Sequence, residues 1–138
     1  MKNKFRRLNL LFLGNPGTGK TVVADVIRQI LLSNKVVSST SYQKVPAADL
    51  TKKEQAVALF KNNKDGVIFI DEFHQLRGSA EGKDCLKAMV QYLEDPDYAG
   101  TVFIGAGYEQ QTRAMLKDPT IDLGLESRFL DGFVVFED

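Results

Sequence analysis

An α/β fold with a largely parallel sheet is predicted by two observations along the chain. Short apolar runs of strand length stand at 8–13, 67–70, 101–104 and 133–136, as expected for strands that are buried on both faces of a parallel sheet. Between them lie segments whose apolar residues recur at three- and four-residue steps, which is the spacing of an amphipathic helix. Strands that alternate with helices indicate a parallel sheet.

The elements are predicted in chain order as follows. Strand 8–13 precedes a helix over 22–32, and residues 33–42 form a loop or a ragged edge strand. A short strand or turn is expected within 44–50, and the capping-box pattern of Thr51 and Glu54 predicts that a helix starts there. Strand 67–70 is followed by a polar loop at 78–82 and by a helix that stops at Asp95 and Pro96. The remaining predicted elements are strand 101–104, a helix over 109–117, a short helix or turn over 123–130, and strand 133–136.

Length and composition are those of one ordinary globular domain. The chain has 138 residues, of which 43% are apolar and 26% are charged, enough to bury a core. The first apolar run is too short to span a bilayer. It also leads directly into a glycine-rich loop, so we expect a strand there rather than a signal peptide. The single cysteine, Cys85, excludes an internal disulfide and suits a reducing, cytoplasmic compartment, with no membrane partner.

The net charge of zero conceals an uneven distribution. Lys and Arg outnumber Asp and Glu by nine in residues 1–64, and the reverse holds in residues 65–138. A basic half can indicate a nucleic-acid partner. Here the basic residues are scattered, without the interleaved aromatic residues that bind single strands. Separate solvated faces, or head-to-tail packing of identical subunits, are therefore the favoured explanation.

The stretch from Gly14 to Thr21 fits the pattern G-x-x-x-x-G-K-[ST] at every fixed position. It stands between a predicted strand and a predicted helix, which is the context that its mechanism requires. Its glycines let backbone N–H groups converge on a phosphate, and the amino end of the helix adds partial positive charge. We predict nucleotide binding by Gly14, Asn15, Pro16, Gly17, Thr18, Gly19, Lys20, Thr21 and Val22.

A second motif follows the strand at 67–70, where four apolar residues precede Asp71 and Glu72. Such a strand presents carboxylates at its carboxyl end, where ligands bind in open α/β sheets. We expect Lys20 to reach the β- and γ-phosphates, and Thr21 and Asp71 to hold Mg²⁺. Glu72 is expected to orient the attacking water. Alone, this pattern would more often be a strand followed by a solvated turn; together with the loop it predicts a hydrolytic site.

Two neighbouring features are given structural interpretations. His74 is the single histidine of the chain, and a lone histidine after a strand more often has a structural role than a catalytic one. The run from Asn63 to Asp65 has the wrong spacing for a guanine-reading Asn-Lys-x-Asp motif and precedes the second motif, which argues against a GTPase.

The order of motifs resembles the AAA+ ATPases, and within them the CbbX/SpoVK-like branch. The resemblance is carried by residues 12–21, 48–50, 66–72, 106–108 and 124–129. It implies a P-loop NTPase fold, a three-layer α/β/α sandwich with a mostly parallel five-stranded sheet, in which residues 1–138 form the large subdomain. It further implies an ATPase that uses ATP and Mg²⁺, with the Walker A motif at 14–21 and the Walker B motif at 67–72.

The same resemblance assigns a role to Arg128, which matches the family's arginine finger. That residue acts in trans at a neighbouring subunit's γ-phosphate, so nucleotide-dependent self-association into a ring, commonly a hexamer, is implied, with an unidentified protein as substrate.

The sequence also departs from the family. Thr51 to Gln55 contains no pore-loop aromatic, Tyr42 lies too far upstream to replace it, and the position near Gly107 and Tyr108 lacks the usual Asn or Thr. No C-terminal lid follows the last predicted strand, so we expect a domain of a longer protein or a minimal ATPase.

Four functions remain open at this level. The leading hypothesis is an ATP-hydrolysing core that remodels a protein partner. A nucleotide-dependent interaction module with little or no hydrolysis is the first alternative, and a DNA-associated AAA+ protein such as a helicase loader is the second. A small nucleotide kinase is the least favoured, because no acceptor-binding motif is visible.

Overall fold

The computed structural model describes residues 7–122 and 124–138. The basic residues at 2–6, and Leu123 at the start of the predicted segment 123–130, lie outside this description. In the described part of the chain, no helix is both long enough and apolar enough to cross a membrane.

Five parallel strands form the sheet in the described residues. They are β1 (Asn9–Leu13), β2 (Tyr42–Pro46), β3 (Val67–Asp71), β4 (Val102–Gly107) and β5 (Phe133–Val135). Their order across the sheet is β2-β3-β4-β1-β5, and each neighbouring pair is parallel. All residues of β4 are buried, and so are all residues of β3 except the last, Asp71. Burial on both faces explains their nearly uninterrupted apolar sequences. The α/β prediction is confirmed.

Helices cover both faces of this sheet. They are α1 (Lys20–Ser33), α2 (Lys53–Asn62), α3 (Ala80–Glu94) and α4 (Glu109–Leu116), with short 3₁₀ turns at Ala47–Asp49, Phe73–Gly78, Pro96–Tyr98 and Glu126–Phe129. Ala24 and Leu31 of α1 pack on one face with Phe12, Phe69 and Ile104. Residues of α2, α3 and α4 pack on the other face around Phe60, Phe73, Phe103 and Phe129. The result is the expected three-layer sandwich.

The structure corrects three local predictions. The short strand expected within 44–50 is the edge strand β2, which begins earlier, at Tyr42, and ends at Pro46. The helix α2 starts at Lys53, and Gln55 rather than Glu54 closes its first turn, because the Gln55 side chain accepts the N–H groups of Thr51 and Lys52. The predicted loop at 78–82 is mostly helical, since the Ser79 hydroxyl accepts the Gly82 N–H and starts α3 at Ala80.

Candidate functional site

The strand order brings the two sequence motifs together. β4 lies between β1 and β3, and in a parallel sheet the carboxyl ends of all strands meet at one edge. Gly14 follows β1, Asp71 ends β3, and Gly107 ends β4. The glycine-rich loop, the two carboxylates and the end of β4 therefore share the carboxyl edge and line one cleft of about 310 Å³.

The glycine-rich loop has the backbone that its sequence predicts. Gly17 and Gly19 have positive φ angles of 79° and 89°, a conformation that costs little only for glycine. Lys20 begins α1 directly after Gly19. Its ammonium group donates to the carbonyl oxygens of Gly14 and Asn15, at 2.9 and 2.7 Å. Burial lowers the pKa of Lys20, an effect that the nearby Asp71, Asp138 and Glu72 oppose.

The two carboxylates at the end of β3 are exposed toward the cleft. Glu72 is a non-glycine residue with a positive φ of 51°, and such backbone strain is concentrated at functional sites. Its N–H donates to the Asp71 carboxylate at 2.9 Å, and its own carboxylate accepts the Gln75 side-chain amide at 2.6 Å. Gln75 therefore holds the direction of the Glu72 side chain.

The cleft brings together most of the predicted site residues and adds two. Its lining is Pro16, Gly17, Thr18, Gly19, Lys20, Thr21, Val22, Asp71, Glu72, Gly107 and Tyr108. Gly14 and Asn15 lie at its base, where both carbonyls accept from Lys20. The Asn15 amide also donates to the Asp138 carboxylate, at 3.1 Å. The two residues are far apart in the sequence, and no local pattern predicts their contact.

His74 lies behind this cleft rather than in its lining. Its Nδ1 accepts the backbone N–H of Tyr108 at 3.3 Å, and the two rings stack with centroids 4.6 Å apart. Burial lowers the pKa of His74, an effect that Glu72 and Asp71 oppose. The structural interpretation of this histidine agrees with these contacts.

Arg128 lies at the opposite, amino edge of the sheet. Its backbone carbonyl accepts from Asn9 at the start of β1, and its guanidinium forms an ion pair with Glu94 at the end of α3. Gly14 is five residue steps beyond Asn9 along β1, which is about 16 Å at the usual strand rise. Arg128 instead lines a second groove of about 660 Å³. The structure therefore does not bring it to the phosphate loop of its own chain.

Three other sequence features have structural roles. The buried Asn63 donates to Leu59 and Gln43, which agrees with the argument against a guanine-binding motif. The Tyr42 hydroxyl donates to Asp25 on α1 at 2.6 Å and so joins β2 to that helix. Cys85 is fully buried in the core.

Comparison with known proteins decides the family. The sequence profile of the ATPase family associated with various cellular activities (AAA) matches residues 10–122. The chain is a member of the AAA family. The resemblance inferred from its motifs is confirmed, and family membership supports nucleotide binding, a P-loop and ATPase character for this AAA domain.

Curated relatives of this AAA domain are considerably longer than it is. Stage V sporulation protein K of Bacillus subtilis is 32% identical over 131 residues, which are 88% of this chain and 39% of the relative. The ESX-3 secretion system protein EccA3 of Mycolicibacterium smegmatis is 31% identical over 134 residues, which are 90% of this chain and 21% of the relative. The AAA domain thus spans well under half the length of these proteins.

Solved structures share the fold at low sequence identity. The FIGL-1 AAA domain in complex with ADP has a TM-score of 0.62 and 22% identity, over 94% of this chain and 44% of the other. The Thermotoga maritima RuvB P216G mutant has a TM-score of 0.64 and 22% identity, over 94% of this chain and 38% of the other. Both place the AAA domain among P-loop folds.

Proposed function

We propose that this chain is the ATP-binding and ATP-hydrolysing core of an AAA+ assembly that remodels a protein partner. The observation that carries the proposal is the convergence of the glycine-rich loop, Asp71 and Glu72 in one cleft. The groups for phosphate binding and the carboxylate for water activation then lie in the same cleft. Family membership supports the ATPase chemistry.

The cleft residues suit the steps of hydrolysis. Lys20 would leave the carbonyls of its own loop to bind the β- and γ-phosphates, where its positive charge offsets theirs. Glu72 would orient the attacking water and accept its proton, while Gln75 holds the carboxylate in place.

The same cleft fits a magnesium ion. Thr21 and Asp71 are exposed in it, and Mg²⁺ needs only one or two protein oxygens beside phosphates and water. In residues 7–122 and 124–138, no cluster of three or more His, Cys, Asp or Glu side chains could hold a metal, so the phosphates would provide further ligands. When bound, the ion would neutralise charge on the β- and γ-phosphate oxygens.

The location of Arg128 supports action in trans. Its guanidinium is at the amino edge of the sheet, beside Glu94, so it would serve the phosphate site of a neighbouring subunit. An arginine supplied in this way is worth about 10³–10⁵ in rate. A ring in which each subunit completes the next one's site follows from this proposal.

Mixing two inactive variants tests the proposal. Glu72→Gln removes the water-orienting carboxylate and Arg128→Ala removes the finger, so each alone should lose at least about 10²-fold in kcat while still binding ATP. In a mixture of equal amounts, an Arg128→Ala subunit keeps Glu72 and can receive Arg128 from its neighbour. Random assembly should therefore restore about a quarter of the parent's rate.

Three outcomes would contradict parts of the proposal. Parent-like hydrolysis by Glu72→Gln would remove that residue's role, and a mixture as inactive as its components would remove the trans finger. Nucleotide binding by the parent without turnover at any protein concentration would favour the interaction module instead. Lys117→Ala, which removes an exposed ion pair with Glu126, is the matched control and should keep the parent's rate.

A further inference from the structure

The side chains of His74 and Tyr108 meet beside Gly107 at the end of β4. The Tyr108 N–H donates to His74 Nδ1, and the Tyr108 and His74 rings stack at 4.6 Å with an interplanar angle of 23°. Tyr108 itself lines the phosphate cleft together with Asp71 and Glu72. His74 therefore touches a cleft residue through two independent contacts.

This arrangement needs the glycine at position 107. A Cβ there would lie 2.7 Å from His74 Nδ1 and 2.6 Å from the Thr112 hydroxyl, closer than real Cβ contacts occur. Within the described residues, that fully buried hydroxyl has no hydrogen-bond partner. The absence of a Cβ at Gly107 thus leaves room for the His74 ring beside the end of β4.

The hydrogen bond also defines the protonation of the ring. A backbone N–H can only donate, so His74 Nδ1 must be the unprotonated, accepting nitrogen. The neutral imidazole then carries its proton on Nε2. Burial of the ring favours this neutral form.

We propose that His74 is a positioning residue that holds Tyr108 in the wall of the phosphate cleft, between the carboxylates of β3 and the glycine-rich loop. The inference rests on the proposed ATPase function. Because Tyr108 follows β4, the neighbour of β3 in the sheet, and lines the cleft together with Glu72, loss of His74 would change turnover more than nucleotide binding. The residue acts through Tyr108 and not on the reacting atoms.

Single and double variants test whether His74 acts through Tyr108. Loss of one hydrogen bond and one ring contact predicts that His74→Ala lowers kcat about tenfold and changes the Kd for ADP less than about threefold. His74→Asn restores an acceptor and His74→Phe restores a ring, so each should recover part of the rate. In a Tyr108→Leu background, His74→Ala should cause little further loss, since coupled residues are not additive.

A spectroscopic readout is independent of activity. His74 is the single histidine of the chain, so its imidazole nitrogen signals are unambiguous in a ¹⁵N NMR spectrum. The parent should show a protonated Nε2 and an unprotonated Nδ1. Gly107→Ala should shift both signals, because its methyl group displaces the ring.

The control is an aromatic pair away from the cleft. Tyr98→Leu breaks a T-shaped contact with Tyr92 at 4.8 Å and should reduce the melting temperature without reducing kcat. Additive losses in His74→Ala and Tyr108→Leu, or an Nδ1-protonated ring, would overturn the inference. A parent with no ATPase activity would instead refute the proposed function, and the NMR result would still report on the His74–Tyr108 contact.

Discussion

The polar side chains at the two edges of the sheet differ in their exposure and in their hydrogen-bond partners. At the carboxyl edge, Asp71, Glu72 and Thr21 are exposed in a cleft. At the amino edge, Arg7 donates to the carbonyls of Tyr92, Asp95 and Tyr98, and Arg128 is paired with Glu94. The carboxyl edge is thus open to a ligand, whereas both arginines at the amino edge donate to groups of the same chain. In the proposed function, Glu94 would hold Arg128 in place before assembly.

The largest expected effect in this comparison is at the carboxyl edge. Lys20→Ala removes the ammonium group beside the phosphates, and a charge-assisted hydrogen bond predicts a rise of about tenfold to a hundredfold in the Kd for ADP. Isothermal titration calorimetry measures it. Lys44→Ala, which breaks the exposed pair with Asp25, is the control. A change below about twofold for Lys20→Ala would contradict the role of this lysine.

A smaller effect is expected at the amino edge. Glu94→Gln keeps the size of the side chain but removes its charge, so Arg128 is released from its ion pair. Because exposed pairs contribute about 0–1 kcal/mol, the protein concentration at half-maximal ATPase rate should fall by up to about fivefold. Measurement of rate against concentration tests this, with Glu126→Gln as the matched control. A lower maximal rate would show instead that Glu94 aids Arg128 in catalysis.

The smallest effect concerns a carboxylate away from both sites. The Thr120 hydroxyl and N–H, together with Arg77, hold the pKa of Asp118 below its usual range. A lowered folded-state pKa contributes stability that is complete above the unfolded value of about 4 and is lost as the pH falls through the folded value. Asp118→Asn should lower the melting temperature by a few degrees at pH 7.

Thermal unfolding across a pH series tests the sign of this effect. The difference between Asp118→Asn and the parent should shrink as the pH falls below about 4. Asp84→Asn, on the exposed side of α3, should show no such trend. A difference that grows on acidification would contradict the assigned contacts.

Much of the fold was predictable because its signals are local. Strands buried on both faces leave continuous apolar runs, as in β3 and β4, and the spacing of apolar residues predicted α1 and α3. The bounds of the edge strand β2 were predicted poorly because Tyr42, Gln43 and Lys44 carry polar groups that an edge tolerates. The capping roles of Gln55 and Ser79 were missed because each side chain's hydrogen bond depends on backbone geometry.

The sequence alone determined the phosphate loop, the carboxylates Asp71 and Glu72, and the family, because these depend on residue types at short, regular spacings. Only the tertiary structure decided that Tyr108 and Gly107 line the same cleft and that His74 contacts Tyr108. It also decided that Arg128 lies at the opposite edge beside Glu94. Strand order and crossover packing bring together residues that are distant in the chain, and no local pattern encodes those distances.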